Sequence, residues 1–131
     1  MASVLKVDSI TGVTSAGDIT ITGEGTATMK LQSGVVKAYA HGSNSAALPS
    51  SFNIASGTDN GTGDYTYAFT NNMSSLNYTI TTSCHSAGLA ATNRDSQAAG
   101  SYKVQVFQRG NNTLGSASDQ VNYSAVNGDL A

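Results

Sequence analysis

Between Ser51 and Ser83, large apolar side chains alternate with polar ones in three short runs. In the middle run, Tyr65, Tyr67 and Phe69 share one side of an extended chain, and polar residues occupy the other. A period of two is typical of a strand with one buried face, whereas the apolar residues of an amphipathic helix recur every three or four positions. The sequence therefore predicts strands here, and an all-β domain built around them.

The runs on either side of the middle one repeat its pattern. They contribute Phe52, Ile54, Tyr78 and Ile80. The first two runs are separated by Thr58 to Asp64, which contains Asn60-Gly61, and Asn-Gly is the strongest short hairpin signal in a sequence. We therefore expect an antiparallel hairpin that turns at Asn60-Gly61.

Further strand candidates lie on both sides of this stretch, namely Val35 to Ala40, Ser101 to Arg109 and Gln120 to Val126. The apolar residues expected to form the last two are Tyr102, Val104 and Val106, facing inward, and Val121, Tyr123 and Ala125. Cys84 to Gly100 is rich in small residues and breaks the alternation, so it is expected to be a long exposed loop. About seven short strands without a helical pattern predict an antiparallel β-sandwich, jelly-roll-like in arrangement.

The first part of the chain has a different composition. Its apolar residues are sparse among Gly, Ser and Thr, so it cannot build a core of its own. We expect residues 1–33 to form an extended β arm, with short strands at Val4 to Asp8 and Asp18 to Thr22, ahead of a globular domain at 34–131. The candidate docking residues of the arm are Val4, Leu5, Val7, Ile10, Ile19 and Ile21. A plain N-terminal strand of the domain, or a loose tail, is the alternative.

The charge balance argues against two classes of partner. Six basic and eight acidic residues give a net charge of −2, with no cluster of Lys or Arg that would favour nucleic acid or a membrane surface. No apolar run has the length of a membrane span or a signal peptide, so we expect synthesis in a cytoplasm without membrane insertion. The single Cys84 rules out an intrachain disulfide.

Candidates for catalysis or metal binding are weak. Cys84 and His85 are neighbours, which point to opposite faces of a strand, and nothing in the sequence places His41 beside them. The segment Asp59 to Asp64 has glycines at places where a calcium loop needs oxygen ligands, so turn formation explains it better. A glycosidase needs two convergent carboxylates, but Asp59 and Asp64 belong to the turn, and Asp8, Asp18 and Glu24 lie in the arm. We expect no enzyme activity, no cofactor and no metal.

A polar group in the predicted loop is a candidate for surface recognition. It consists of Asn93, Arg94, Asp95 and Gln97. Such side chains supply the hydrogen bonds that saccharide ligands require, although a solvated loop explains the same residues.

Two segments of the sequence resemble a known family. The central stretch, FNIASGTDNGTGDYTYAFTNNM followed by NYTI, looks like the globular domain at the C-terminal end of tail fibre proteins of tailed bacteriophages. The matching positions are Phe52, Asn53, Ile54, Asp59 to Tyr65, Met73, Asn77 and Tyr78. LKVDSI and GDITI resemble the N-terminal segments of the same fibre proteins, where arms wind together or dock on the particle.

The resemblance implies a short trimeric tail fibre of a virion, synthesised in the host cytoplasm and anchored by its arm. Its expected partners are two further copies of the chain, other virion proteins of the tail, baseplate or capsid, and a host surface glycan. A capsid decoration or cement protein (a head fibre) is the alternative within the same structural class. A free carbohydrate-binding module is the alternative from a different class.

Overall fold

The computed structural model of the chain describes residues 6–11, 19–22, 28–86, 88–109 and 114–131. These residues fall into two compact units, Met1–Val35 and Val36–Ala131, which we call the N-terminal unit and the β domain.

A small hairpin forms the described part of the N-terminal unit. Strand β1 (Thr20–Thr22) pairs antiparallel with β2 (Thr28–Lys30), and a single helical turn, α1 (Leu31–Gly34), follows directly. The amide of Leu31 donates to the carbonyl of Ile19 at 2.7 Å, which fixes the start of α1 to the hairpin. Of the two predicted strands, the second is present as β1, whereas residues 6–8 of the first are not in a strand and its beginning lies outside the described residues.

The described residues of the β domain form nine strands in two antiparallel sheets. They are β3 (Ala38–Gly42), β4 (Ser50–Phe52), β5 (Ile54–Gly61), β6 (Asp64–Phe69), β7 (Thr79–Cys84), β8 (Gly88–Thr92), β9 (Ser101–Arg109), β10 (Leu114–Ala117) and β11 (Asn122–Asn127). Sheet I runs β5, β6, β9, with β10 and β8 also paired to β9; sheet II runs β4, β3, β11, β7. The prediction of an all-β antiparallel sandwich is confirmed.

Strand β9 is long enough to pair with three other strands. Its first half pairs with β6, and its last residues pair with β10. Val106 marks the junction, since its amide donates to the carbonyl of Gly63 at 2.8 Å and its carbonyl accepts from the amide of Ser118 at 3.0 Å. Strand β8 pairs with β9 as well, from Gly88 opposite Gln108 to Thr92 opposite Val104.

The chain passes from sheet II to sheet I at Asn53, the single residue between β4 and β5. Asn53 has a φ of 55°, a left-handed conformation that Asn tolerates better than most residues. Its side-chain amide donates to the carbonyls of Lys37 and Asn71 at 3.1 Å each, and its side-chain oxygen accepts from the amide of Asn71 at 2.7 Å. Asn53 therefore forms a hydrogen-bonded corner that joins the two sheets.

A second connection between the sheets lies where β7 leads into β8. The hydroxyl of Thr82 in sheet II donates to the carbonyl of Ala90 in sheet I at 3.0 Å. The two sheets are therefore linked at both sides, by the Asn53 corner between β4 and β5 and by this hydrogen bond between β7 and β8.

Sheet I supplies the large side chains of the core. The buried faces are Tyr65, Tyr67 and Phe69 on β6, and Tyr102, Val104 and Val106 on β9, as the alternation predicted. The rings of Phe69 and Tyr102 lie 5.3 Å apart between centroids, and those of Tyr67 and Tyr102 lie 5.5 Å apart.

Sheet II supplies small side chains opposite these rings. Ala38 and Ala40 are buried on β3, and a Cβ at Gly42 would collide with the hydroxyl of Tyr67, so glycine is needed there for close approach. This division of size between facing layers lets the tyrosines span the interior.

Strand β11 faces the opposite way from the sequence-based expectation. Its buried residues are Asn122, Ser124 and Val126, whereas Tyr123 is exposed. The tyrosine hydroxyls of sheet I explain the reversal, since Tyr67 donates to Oδ1 of Asn122 at 2.7 Å and the hydroxyls of Tyr102 and Ser124 hydrogen bond at 2.6 Å. Buried polar groups on β11 are thereby satisfied.

Two further expectations were wrong in detail. The hairpin turns at Thr62-Gly63 rather than at Asn60-Gly61, because β5 continues to Gly61, which pairs with Asp64 after a register shift. Gly63 takes the positive φ that the turn requires, at 66°. The segment from Cys84 to Gly100 is not one long loop, because it contains β8 and a short 3-10 helix at Arg94–Ser96.

Candidate functional site

The predicted recognition group lies at the end of β8, around the 3-10 helix. The side-chain oxygen of Asn93 accepts from the amide of Asp95 at 3.0 Å, as at a helix start. The side-chain amide of Gln97 donates to the carbonyls of Leu76 and Tyr78 at 3.2 and 2.9 Å. Gln97 thus links this segment by hydrogen bonds to the segment before β7. Asp95 is exposed, and the side chain of Arg94 lies outside the described part of the structure.

The candidate docking residues belong to the N-terminal unit, and four of the six lie in its described residues. Val7, Ile10 and Ile21 are exposed by 51%, 57% and 40%, and Ile19 is half-buried. Val4 and Leu5 lie outside the described residues.

The candidates for chemistry are dispersed. Cys84 ends β7 with its thiol 3.8 Å from the carbonyl of Ser86, while the amide of His85 donates to the carbonyl of Val121. The ring of His41 packs against Tyr123 at 4.8 Å between centroids. Within the described residues, no group of three or more His, Cys, Asp or Glu side chains is placed to hold a metal ion.

Hydrogen bonds inside the turn engage the acidic segment between β5 and β6. Asp59 accepts from the backbone amide of Gly61 at 2.9 Å, and the side-chain amide of Asn60 donates to the hydroxyl of Thr66 at 2.8 Å and to the carboxylate of Asp64 at 3.3 Å. Lys103 lies 3.1 Å from the other carboxylate oxygen of Asp64. These contacts are what turn formation requires.

The buried tyrosines act as hydrogen-bond groups rather than as acids. Burial raises the pKa of Tyr65 to about 12, with the negative charge of Asp119 adding to the effect. Burial also raises the pKa of Tyr78 to about 12, and it raises the pKa values of Tyr67 and Tyr102. At neutral pH all four hydroxyls keep their protons, which suits donors in a core.

An open hollow of about 420 Å³ lies beside the end of β9. Its lining is polar and consists of Ser86, Gln108, Arg109, Ser118 and Gln120. The side-chain oxygen of Gln120 is buried without a hydrogen-bond partner among the described residues.

The outer face of sheet II exposes aromatic rings. Tyr39 of β3 lies opposite Phe52 of β4, with ring centroids 6.2 Å apart and planes at 26°. His41 of β3 lies opposite Tyr123 of β11, with planes at 31°. We call these four residues the aromatic band. Sequence reasoning missed it because Tyr123 was assigned to the apolar set of its strand. The rings come together only through the register of β3 with its neighbour β4 and with β11, which is distant in sequence.

No helix in the described residues is both long enough and apolar enough to cross a membrane. Comparisons with protein-family models, with curated proteins and with solved structures each found no significant match to this chain.

Proposed function

We propose that this chain is a non-enzymatic structural protein of a tailed-bacteriophage virion, a short trimeric tail fibre. In this proposal the N-terminal unit associates with other copies and anchors the fibre, and the β domain projects from the particle. The observation that carries the proposal is the division of the chain into a β domain with its own core and a small unit in which Val7, Ile10 and Ile21 are exposed.

The N-terminal unit needs contacts beyond those in its described residues. Its strands β1 and β2 have three residues each, and an isolated two-stranded hairpin is at best marginally stable in water. Exposure of Val7, Ile10 and Ile21 in one short unit is costly unless a partner covers them. Association with further copies would bury these side chains and pair free strand edges.

The resemblance of the sequence to phage fibre proteins is the reason for proposing that the particle is a phage virion. Several of the residues that carry the resemblance also have structural roles, since Asn53 forms the corner between the sheets and Gly63 forms the turn between β5 and β6. These structural roles support a domain of the fibre type. The location of the protein on the particle is a matter for experiment.

The mass of the purified chain in solution, measured by light scattering, tests self-association. We expect a mass near three times the 13.3 kDa of one chain. The double variant Ile10→Asp/Ile21→Asp should lower the mass, because a charge placed in an apolar contact costs several kcal/mol. Thr20→Asp, an exposed position on the same hairpin, is the matched control and should keep the mass. A monomeric unmodified chain would contradict the trimer.

Attachment is tested on the particle itself. A chain lacking residues 1–35 should be absent from purified virions, whereas the full chain should be found at the tail by labelling and electron microscopy. Labelling across the head at a copy number set by the capsid lattice would instead establish the decoration protein.

A further inference from the structure

The sequence contains two Asn-Gly bonds, Asn60-Gly61 and Asn127-Gly128. An asparagine in this position can lose its side-chain amide without an enzyme, because the backbone nitrogen of the next residue can attack the side-chain carbonyl carbon. Glycine favours this ring closure, since it has no Cβ to hinder the approach and a wide choice of backbone angles. The surroundings of each bond in the fold therefore determine whether it reacts.

Hydrogen bonds restrain both reacting groups of the first bond. The side-chain amide of Asn60 donates to the hydroxyl of Thr66 at 2.8 Å and to the carboxylate of Asp64 at 3.3 Å, which directs it toward β6. The attacking nitrogen, the backbone amide of Gly61, donates to the carboxylate of Asp59 at 2.9 Å. A carboxylate in this position also opposes the loss of the amide proton, on which the attack depends. The turn thus restrains Asn60-Gly61 at both ends of the reaction.

The second bond lies at the end of a strand and lacks these restraints. Asn127 is the last residue of β11, opposite Thr79, and its side chain is half-buried, while Gly128 is outside the strand. Within the described part of the chain, neither the side chain of Asn127 nor the backbone amide of Gly128 forms a hydrogen bond. The hydroxyl of Thr79 lies 3.4 Å from the backbone carbonyl of Asn127, which takes no part in the ring closure.

We propose that Asn127 is a site of spontaneous deamidation in the folded protein, whereas Asn60 is protected. The nitrogen of Gly128 forms a bond to Cγ of Asn127, the bond from Cγ to the side-chain nitrogen breaks, and ammonia leaves with the proton of the Gly128 amide. The cyclic imide then takes up one water molecule. Opening at one carbonyl gives an aspartate, and opening at the other gives an isoaspartate, in which the main chain is longer by one CH₂ group.

The modified bond directly precedes the residues that dock the C-terminal segment on the domain. The carbonyl of Asp129 accepts from the amide of Ser74 at 2.9 Å, and Leu130 forms a β-bridge with the buried Met73. An additional CH₂ group at position 127 displaces Asp129 and Leu130 from these partners. We therefore expect the docking of the C-terminal segment to loosen as the protein ages.

The test follows the two sites in the full chain. The chain is held in mildly alkaline buffer at physiological temperature, with and without concentrated urea, and its proteolytic peptides are analysed by mass spectrometry, in which deamidation raises the mass by about 1 Da. Without urea, the peptide that contains Asn127 should gain this mass at least tenfold faster than the peptide that contains Asn60. In urea the ratio of the two rates should fall below about threefold, because the restraints on Asn60 are lost on unfolding.

Variants assign the reaction to the proposed groups. Asn127→Gln should abolish the modification at this position, because its longer side chain closes a six-membered ring much more slowly, and Asn60→Gln is the matched control that should leave it unchanged. Thr66→Ala and Asp59→Ala each remove one restraint, so each should accelerate the reaction of Asn60.

Two results would overturn the proposal. One is a native chain in which Asn60 reacts as fast as Asn127. The other is a native chain that shows no mass gain at Asn127 during the time in which the chain in urea is fully modified. The isoaspartate product should exchange the amide hydrogen of Ser74 at least tenfold faster than the unmodified chain, and equal exchange would contradict the loosening of the C-terminal segment.

Discussion

Two tyrosine hydroxyls cross the core and end on polar side chains of β11. Tyr67 reaches Asn122, and Tyr102 reaches Ser124. Both hydroxyls are buried away from water, and a buried donor that lacks a partner would cost about 1–3 kcal/mol. The pairs therefore help to select the native register of β11, because any register that moved Asn122 away would leave the hydroxyl of Tyr67 without a hydrogen-bond partner.

Asn122→Ala should destabilise the β domain by about 1–3 kcal/mol, because it leaves the buried hydroxyl of Tyr67 without its partner. Tyr67→Phe in the same chain should recover part of that loss, since no unpaired hydroxyl remains. Urea unfolding of the two single variants and the double variant measures this coupling. Strictly additive free energies would show that the hydrogen bond contributes nothing to stability.

Alkaline pH should destabilise the domain. Tyrosines in the unfolded chain ionise near pH 10, whereas burial raises the pKa of Tyr65 and Tyr78 to about 12 in the fold. Between these values the unfolded chain binds fewer protons than the native one, so stability is full below about pH 10 and falls as pH rises. The slope approaches about 1.4 kcal/mol per pH unit for each such tyrosine.

Urea midpoints at pH 8, 10 and 11 measure this decrease, and Tyr65→Phe should make it shallower. A free energy of unfolding that stays constant from pH 8 to 11 would contradict the prediction.

At the level of single residues, the sequence predicted what depends on local alternation. The buried sets on β6 and β9 follow directly from the spacing of Tyr65, Tyr67 and Phe69 and of Tyr102, Val104 and Val106. The face of β11 could not be read in this way, because its buried Asn122 and Ser124 look like surface residues until their tyrosine partners are known. The aromatic band was missed for the same reason.

Among the elements, the junction of β4 and β5 depends on one residue. Asn53→Gly should keep the left-handed backbone but lose the side-chain hydrogen bonds to Lys37 and Asn71, at a cost of about 1–3 kcal/mol. Asn53→Ala should cost about 1–2 kcal/mol more, because Ala resists this conformation.

Thermal or urea unfolding gives both values. Asn77→Ala, an exposed Asn near the start of β7, is the control and should change stability by no more than about 0.5 kcal/mol. Equal losses for Asn53→Gly and Asn53→Ala would show that the backbone conformation at the corner is not strained for Ala.

The predicted and observed elements differ where non-local pairing determines whether a strand forms and where it ends. Strand β8 was expected to be loop, since GLAAT carries little β propensity, yet it pairs along five residues of β9. The hairpin was placed two residues early, because the register shift at Asp59 to Gly61 extends β5 beyond the Asn-Gly pair. Local sequence signals locate such strands and turns only approximately, because pairing with the neighbouring strand determines where they begin and end.

For the whole molecule, the two-unit organisation predicts that the β domain folds alone. Removal of residues 1–35 should leave a cooperative unfolding transition with a free energy within about 1 kcal/mol of the full chain, because the buried core lies in Val36–Ala131. The same truncation should reduce the mass in solution to that of one chain. Loss of the cooperative transition would show that the N-terminal unit completes the fold.

The position of β11 has a consequence for how the domain is made. It lies between β3 and β7 in sheet II, so Ala125 pairs with both Tyr39 and Thr81. A ribosome therefore finishes β3 and β7 long before the strand that joins them emerges, whereas β5 and β6 can pair at once. Until β11 is released, the nascent chain carries two open strand edges and two tyrosine hydroxyls without partners. Closure of the sandwich therefore waits for its least local pairing, that of β11 with β3, and non-local pairings form slowly.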